Sequence, residues 1–280
     1  MKNLYFLMLT LLLTGCQNAA FMVANLPVIL STHSIKHDIA YSSQPWQKLD
    51  IHIPSGQENK KRDVVVFFYG GRWTNGSRDD YAFIGKYFAD RGFITVIADY
   101  QKYPQTRFPV FVEDGAKALA WTYDHIGMYG GNNARIHVIG HSAGAHIGAL
   151  LLADKHYLAA HGKTPQMIIH DFVGLAGPYA FTPDEPDLIA IFPKPYSAMQ
   201  APTFIDGTEP PMLLLWGNAD RDVGLFNLEK LKTKIEAKNG YVKSAVFSDV
   251  NHIDIIKAFT WIDKDHAGIE KSVMDFLNHD

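Results

Sequence analysis

Residues 135–154, RIHVIGHSAGAHIGALLLAD, set one hydroxyl, Ser142, between an apolar run and an Ala/Leu-rich run. Its neighbours in Gly140-His141-Ser142-Ala143-Gly144 leave little bulk around it. A strained strand-to-helix turn that projects a nucleophile needs small residues at this spacing, because another chain segment must pass close by. Such a turn also points the helix N-terminus and the next backbone N–H, that of Ala143, at the place where negative charge develops in acyl transfer. A serine hydroxyl is a weak nucleophile until a base takes its proton. Thirteen histidines are available, so position has to choose among them. His252 lies three residues past the strand-like SAVFSD, and Asp220 three residues past the end of PMLLLWG. Both leave strand ends on the sheet edge expected for Ser142. His252 is therefore the expected proton shuttle, and Asp220 the carboxylate that fixes its tautomer. Asp222 shares the loop and is the rival acid, whereas Asp249 and Asp254 read as loop or capping groups. His141 and His146 sit on the serine's own turn and helix, a poor position for a base, although His141 can line a pocket. His137, His141 and His146 do not share a helix face and no Glu accompanies them, so the HExxH zinc pattern is absent. No metal and no cofactor are expected.

The elements that must hold these groups alternate. QKLDIHIP (47–54) reads as a half-buried edge strand, and DVVVFFY (63–69) as a strand buried on both faces. Strands at 93–99, 135–140, 167–177, 211–217 and 244–249 follow, with helices near 79–91, 109–126, 142–154, 223–238 and 265–278 between and after them. Strand–helix alternation of this kind predicts an α/β fold: a three-layer α/β/α sandwich around a mostly parallel, doubly wound sheet. Residues 178–210 interrupt the rhythm with seven prolines. A long irregular stretch in a compact domain is usually functional, so this one reads as a short lid-like insertion on the substrate side.

The chain has 280 residues, 47% apolar and 20% charged, which suits one large folded domain rather than a disordered chain. The net charge is −3 and the longest basic cluster is KKR at 60–62, which leaves nucleic-acid binding without an electrostatic footprint. At the N-terminus, MKNLYFLMLTLLLTGC joins a charged start to an apolar run from Leu4 to Leu13, too short to span a bilayer. It ends at Cys16, the chain's single cysteine. LTGC resembles the lipobox of bacterial lipoproteins. That resemblance implies a signal peptide over 1–15 and lipidation of Cys16; the mixed composition that follows reads as a tether over 16–44, and the alternation as a folded domain over 45–280. With Gln17 next to the cysteine, the lipobox resemblance also implies an envelope protein lipid-anchored in the outer membrane and facing the periplasm.

The loop FFYGGRWTNGS brings a second resemblance. Tyr69-Gly70-Gly71-Arg72-Trp73 is similar to the His-Gly-Gly-Gly-Trp loop of α/β-hydrolase esterases in the hormone-sensitive-lipase and bacterial feruloyl-esterase-like (BD-FAE-like) groups. ADYQKYPQTRFP (98–109) resembles their Asp-Tyr-Arg-Leu and Phe-Pro segments. The resemblance covers about residues 46 to 275. It implies an oxyanion hole built from the N–H groups of Gly71, Arg72 and Ala143, with Gly70 making the tight turn. Tyr69 departs from the pattern by replacing the histidine that braces this loop. Arg72 replaces the third glycine, and its side chain faces either the pocket, as a site for an acidic group, or solvent. Trp73 reads as packing rather than substrate stacking, and Asp99 and Tyr100 as structural.

The expected function is a serine esterase that cleaves short-chain or aryl acyl esters through an acyl-enzyme on Ser142. Its expected partners are a small-molecule ester and, through the lipid anchor, a membrane. Two alternatives stand beside it: an amide or formamide hydrolase of the same fold, and a non-catalytic hydrolase-shaped binding protein of the envelope. A peptidase of this fold usually brings a large extra domain, for which the chain has no room.

Overall fold

The computed structural model describes residues 19–56, 61–263 and 267–279. An N-terminal helix α1 (19–29) leads into strands β1 (Ser34–Ala40), β2 (Lys48–Ile53) and β3 (Arg62–Phe68). Helix α2 (Ala82–Ala89), β4 (Ile94–Ala98), α3 (Val110–His125), β5 (Gly131–His141) and α4 (Ala143–Ala153) follow. Two short helices, α5 (His156–Ala159) and α6 (Pro165–Ile168), precede β6 (Asp171–Leu175) and α7 (Pro186–Ile191). The described chain closes with β7 (Met212–Gly217), α8 (Phe226–Ala237), β8 (Val242–Phe247), α9 (Asp254–Lys257) and α10 (Ala267–Leu277).

The eight strands form one sheet in the order β1-β2-β4-β3-β5-β6-β7-β8. β1 and β2 run antiparallel to their neighbours, and every pairing from β4 to β8 is parallel. This is the mostly parallel α/β sandwich expected from the alternation. The order also locates the site. The chain moves one way along the sheet from β3 to β4 and the other way from β4 to β5. Right-handed crossovers therefore send α2 to one face and α3, α4 and α8 to the other. Loops leaving the C-terminal end of β3 and those leaving its neighbours part there, and such a switch point opens a crevice. Val64 to Tyr69 have no solvent exposure, so the strand feeding that crevice is fixed by core packing on both faces. Burying each such aliphatic side chain stabilises the fold by about 1.5–3 kcal/mol.

Three expectations change. β2 is not an edge strand: β1 covers its outer side, and its polar residues Asp50 and His52 are buried. Asp50 is satisfied by the Arg78 guanidinium at 2.8 Å and the Asp38 amide at 2.9 Å, and the His52 ring bonds His33 at 2.9 Å. Burial, with His33 beside it, pushes His52 down to about 3, so it is neutral. The stretch 16–44 is not a bare tether, because from residue 19 it supplies α1 and the true edge strand β1, paired to β2 from Ser34↔Ile53 to Ala40↔Lys48. The sequence SIKHDIA carries too few apolar residues to read as a strand, and its exposed edge position explains why. Finally, the strand expected over 167–177 is shorter, because Thr164 caps the turn α6 through the Met167 amide before β6 starts.

On β5, toward the strand ends opposite the serine turn, His137 is fully buried between two carboxylates. Its Nδ1 donates to Asp171 at 2.8 Å, and its Nε2 faces Asp63 at 3.9 Å. Arg135 bonds Asp63 at 2.8 Å and His170 bonds Asp171 at 2.9 Å. Burial opposes a charge on His137, but the flanking Asp171 and Asp63 overcome it and raise its pKa above 6.5. Burial likewise opposes ionisation of Asp171, and its bonds to His137 and His170 hold it below 3.8. The His137 contribution is thus full below pH 6.5 and lost as pH rises through the folded pKa; the Asp171 contribution is full above pH 3.8 and lost in acid. His137→Gln is expected to cost about 3 kcal/mol near pH 6 and less as pH rises through the folded pKa. Urea unfolding over a pH series checks this, and a loss that does not fall with rising pH would contradict it.

Candidate active site

The serine turn closes at the C-terminal end of β5. Ser142 adopts φ +54°, a region that costs a non-glycine residue about 1–3 kcal/mol, and its amide is anchored to Leu175 O at 2.9 Å. The flanking glycines are required by close approach. A Cβ on Gly140 would lie 2.5 Å from the Ala145 Cα, and one on Gly144 would lie 2.0 Å from the Phe68 carbonyl oxygen.

Ser142, His252 and Asp220, 32 to 110 residues apart in the chain, meet in one hydrogen-bonded line. Asp220 Oδ2 accepts from His252 Nδ1 at 2.8 Å, and His252 Nε2 lies 2.9 Å from Ser142 Oγ. With Nδ1 donating to the carboxylate, Nε2 is left to accept the serine proton. Asp220 and His252 are each less than a tenth exposed. Burial works against a charge on Asp220, but the bond from His252 and the Val223 and Asp222 amides, both at 2.9 Å to Oδ1, hold the carboxyl below its ordinary range. Asp222 is exposed and contributes its backbone amide to Asp220; no hydrogen bond joins its carboxylate to His252. His141 holds the base in place, with Nε2 donating to the His252 carbonyl at 3.0 Å. Burial and the neighbouring His252 push His141 down to about 3, so it is neutral.

The loop after β3 passes directly over the serine: a Cβ on Gly70 would lie 3.1 Å from Ser142 Cβ. Gly71, Arg72 and Trp73 follow with φ of +130°, +54° and +57°. Gly71 O accepts from the Thr74 and Asn75 amides at 3.0 and 2.9 Å, so the Gly71 and Arg72 amides stand outside the turn's own bonds. Ala143, the first residue of α4, has an N–H that the helix cannot satisfy. Tyr69 shows what replaces the missing histidine. It is fully buried, its hydroxyl donates to Asp99 Oδ1 at 2.7 Å and accepts from Lys102 Nζ at 2.9 Å, and Tyr100 donates to its carbonyl at 2.9 Å. The Arg78 amide also donates to Asp99, at 2.9 Å. Asp99 and Tyr100 therefore hold the loop from beneath.

The Arg72 side chain points neither freely into the pocket nor freely into solvent. It reaches Asp187 at 3.0 Å and Glu185 at 2.5 Å, tying the insertion to the loop over the serine. All three side chains are half-exposed, so the pair sets geometry more than stability. The insertion itself contains α7 and two short 3₁₀ turns, Tyr196–Met199 and Ala201–Thr203. With the loop it encloses a cavity of about 800 Å³ around Ser142 and His252, whose apolar wall includes Trp73, Phe181, Leu188 and Phe226. Trp73 is buried and packs edge-on to Phe192 at 4.7 Å between ring centroids. Sequence reasoning missed one wall residue altogether, Phe21 of α1. No local pattern ties a residue that far upstream to the pocket.

Sheet order, crevice and elbow, with the hydrogen-bonded Ser142–His252–Asp220 line, define an α/β-hydrolase-fold protein. Residues 49–181 match the BD-FAE family model. Isoprenylcysteine alpha-carbonyl methylesterase ICME of Arabidopsis thaliana is 30% identical over 178 residues, 61% of this chain and 42% of that protein. Esterase LipC of Mycobacterium tuberculosis is 32% identical over 146 residues, 50% of this chain and 36% of its own length. The chain thus spans less than half of the length of these curated relatives. Among solved structures, esterase B from Lactobacillus rhamnosis superposes with a TM-score of 0.79 at 14% identity, over 99% of this chain and 96% of that one. At that identity the likeness is one of fold.

Proposed function

We propose that the protein is a serine carboxylesterase acting on short-chain or aryl acyl esters. The observation that carries this reading is the continuous Ser142–His252–Asp220 line at the base of a walled cavity. Ser142 Oγ attacks the ester carbonyl while His252 Nε2 takes its proton. The tetrahedral oxyanion is met by the amides of Gly71, Arg72 and Ala143, a donor set in which each N–H contributes about 3 kcal/mol to the transition state. His252 then passes the proton to the departing alcohol, leaving an acyl group on Ser142. Water, deprotonated by His252, releases the acid and restores the serine. Asp220 stays ionised throughout and stabilises the imidazolium. The aromatic wall of Trp73, Phe181 and Phe226 suits an aryl or short acyl group. The test is turnover of p-nitrophenyl acetate and of the matched anilide by the full chain and by Ser142→Ala. Ester turnover well above anilide turnover supports the reading, and the reverse preference assigns the site to amides.

The sequence features at Cys16 support a lipid anchor in the cell envelope, with the outer membrane favoured by Gln17. Residues 1–18, and Cys16 with them, lie outside the described residues. Incorporation of labelled palmitate in the bacterial host, lost in Cys16→Ser, is the expected result; equal labelling of the variant would rule the anchor out.

A further inference from the structure

Residues 3–35 contain no Asp, Glu, Lys or Arg. Helix α1 lies inside this uncharged stretch, on the surface of the fold, where an ordinary helix turns charged residues outward. Its inner side is firmly seated. Ala24 is buried, Phe21 packs against Tyr81 at 5.0 Å between ring centroids, and the Asn25 side chain caps the start of α2. Asn25 Oδ1 accepts from the Phe83 amide at 2.7 Å, and its Nδ2 donates to Asp80 O at 2.9 Å and Asp79 O at 3.1 Å.

The outer side is apolar throughout. Met22, Leu26, Ile29 and Leu30 recur at helical spacing and are 69, 47, 79 and 87% exposed, with Val23 beside them at 41%. Trp261, 55% exposed and bonded to Val23, extends the same surface, and Ile262, next to it in the chain, is 45% exposed. The position of Trp261 is fixed by backbone chemistry. Pro27 has no N–H, so the Val23 carbonyl lacks its usual helical donor. The Trp261 indole supplies one, donating to Val23 O at 3.0 Å. The indole is thereby held on the helix with much of its ring outside.

We propose that the exposed face of α1, with Trp261 and Ile262, is a membrane-docking surface that holds the cavity mouth against the lipid–water boundary. Three observations favour a bilayer over another protein surface. The outward residues of the α1 segment, Met22, Val23, Leu26, Ile29 and Leu30, carry no charge that a protein partner would pair. Trp261 combines a large apolar ring with a bonded polar edge, the chemistry found at headgroup level. The third is chain length: α1 begins three residues after Cys16, and the apolar run Leu4–Leu13 precedes that cysteine. Three residues reach about 11 Å, so a lipid attachment at Cys16 keeps α1 at the membrane surface. Among the described residues no helix is long and apolar enough to cross a membrane. Phe21, on the inner side of the same helix, lines the cavity. Under the esterase reading, an apolar ester dissolved in the bilayer then meets the site without crossing water.

The test places the full chain on vesicles of phosphatidylethanolamine and phosphatidylglycerol whose acyl chains are brominated near the headgroup. The fluorescence difference between the wild-type chain and Trp261→Phe isolates Trp261. Brominated lipid is expected to quench at least half of that component. The triple variant Leu26→Glu, Ile29→Glu, Leu30→Glu is expected to lose the quenching while keeping solution turnover of p-nitrophenyl acetate within twofold and an unchanged melting curve. An unquenched Trp261 in vesicle-bound chain overturns the proposal, as does quenching that survives the triple variant. A dimer in sedimentation that the triple variant dissociates would assign the face to a second copy and overturn it too. Quenching reads contact and not turnover, so this result stands apart from the test of the esterase reading.

Discussion

Ser142→Ala is expected to lower kcat/KM for p-nitrophenyl acetate by about 10⁴-fold or more while the chain stays folded. The loss is large because, among the described residues, Ser142 Oγ is the hydroxyl placed 2.9 Å from the His252 base. Folding survives because the substitution removes one oxygen whose partner is His252, and the anchoring amide bond to Leu175 belongs to the backbone. The strained φ of +54° remains unfavourable for alanine, as it is for serine, so little stability changes hands. His252→Ala is expected to cost about as much, and the double variant little more than either, because nucleophile and base act as one unit. Initial rates with a fluorophosphonate count of active serines check all three. Activity within tenfold of the parent in Ser142→Ala would remove Ser142 as the nucleophile, and a folded parent chain whose Ser142 takes no fluorophosphonate would make the hydrolase-shaped binding protein the better reading.

The second large effect separates two neighbouring carboxylates. Asp220→Asn is expected to reduce kcat/KM by about 10³–10⁴-fold. Asparagine can still accept from the Val223 and Asp222 amides through its carbonyl, so the loop keeps its shape. Its amide group, however, donates toward His252 Nδ1, which then becomes an acceptor. The ring proton moves to Nε2, the atom that must receive the serine proton, and the imidazolium loses its counter-charge. Asp222→Asn is expected to change kcat/KM less than threefold, because this exposed side chain supports the site through its backbone amide alone. Steady-state kinetics of both variants, with melting curves to confirm folding, decide the matter. Similar losses in the two would mean that the carboxylates share the role.

How much of this was legible in the sequence follows from where the information lies. The buried strands were, because β3, β4 and β7 are continuous apolar runs and lie in the sheet interior. The serine turn was, because a close approach such as that of Gly144 to Phe68 admits no side chain and so forces its own composition. Asp220 and His252 could be picked from many acids and histidines because parallel strands all end on one edge. The misreadings share a cause. β1 and α1 owe their form to partners distant in the chain: β1 to β2, and α1 to the capping of α2 by Asn25 and to the indole of Trp261, 238 positions away. Nothing local announces such contacts. Asp50 and His52 looked like solvent-facing alternates for the same reason, since the covering strand was invisible in the pattern.

Sequence by itself therefore determined the sheet, the elbow and which three side chains converge, since each rests on local sterics or on the single edge that parallel strands share. Only the tertiary structure decided that Tyr69 braces the loop through Asp99 and Lys102, that Arg72 grips Glu185 and Asp187, and that α1 turns Phe21 into the cavity and an uncharged face outward. Those outcomes depend on directions in space between segments tens to hundreds of residues apart, and a one-dimensional pattern does not encode direction.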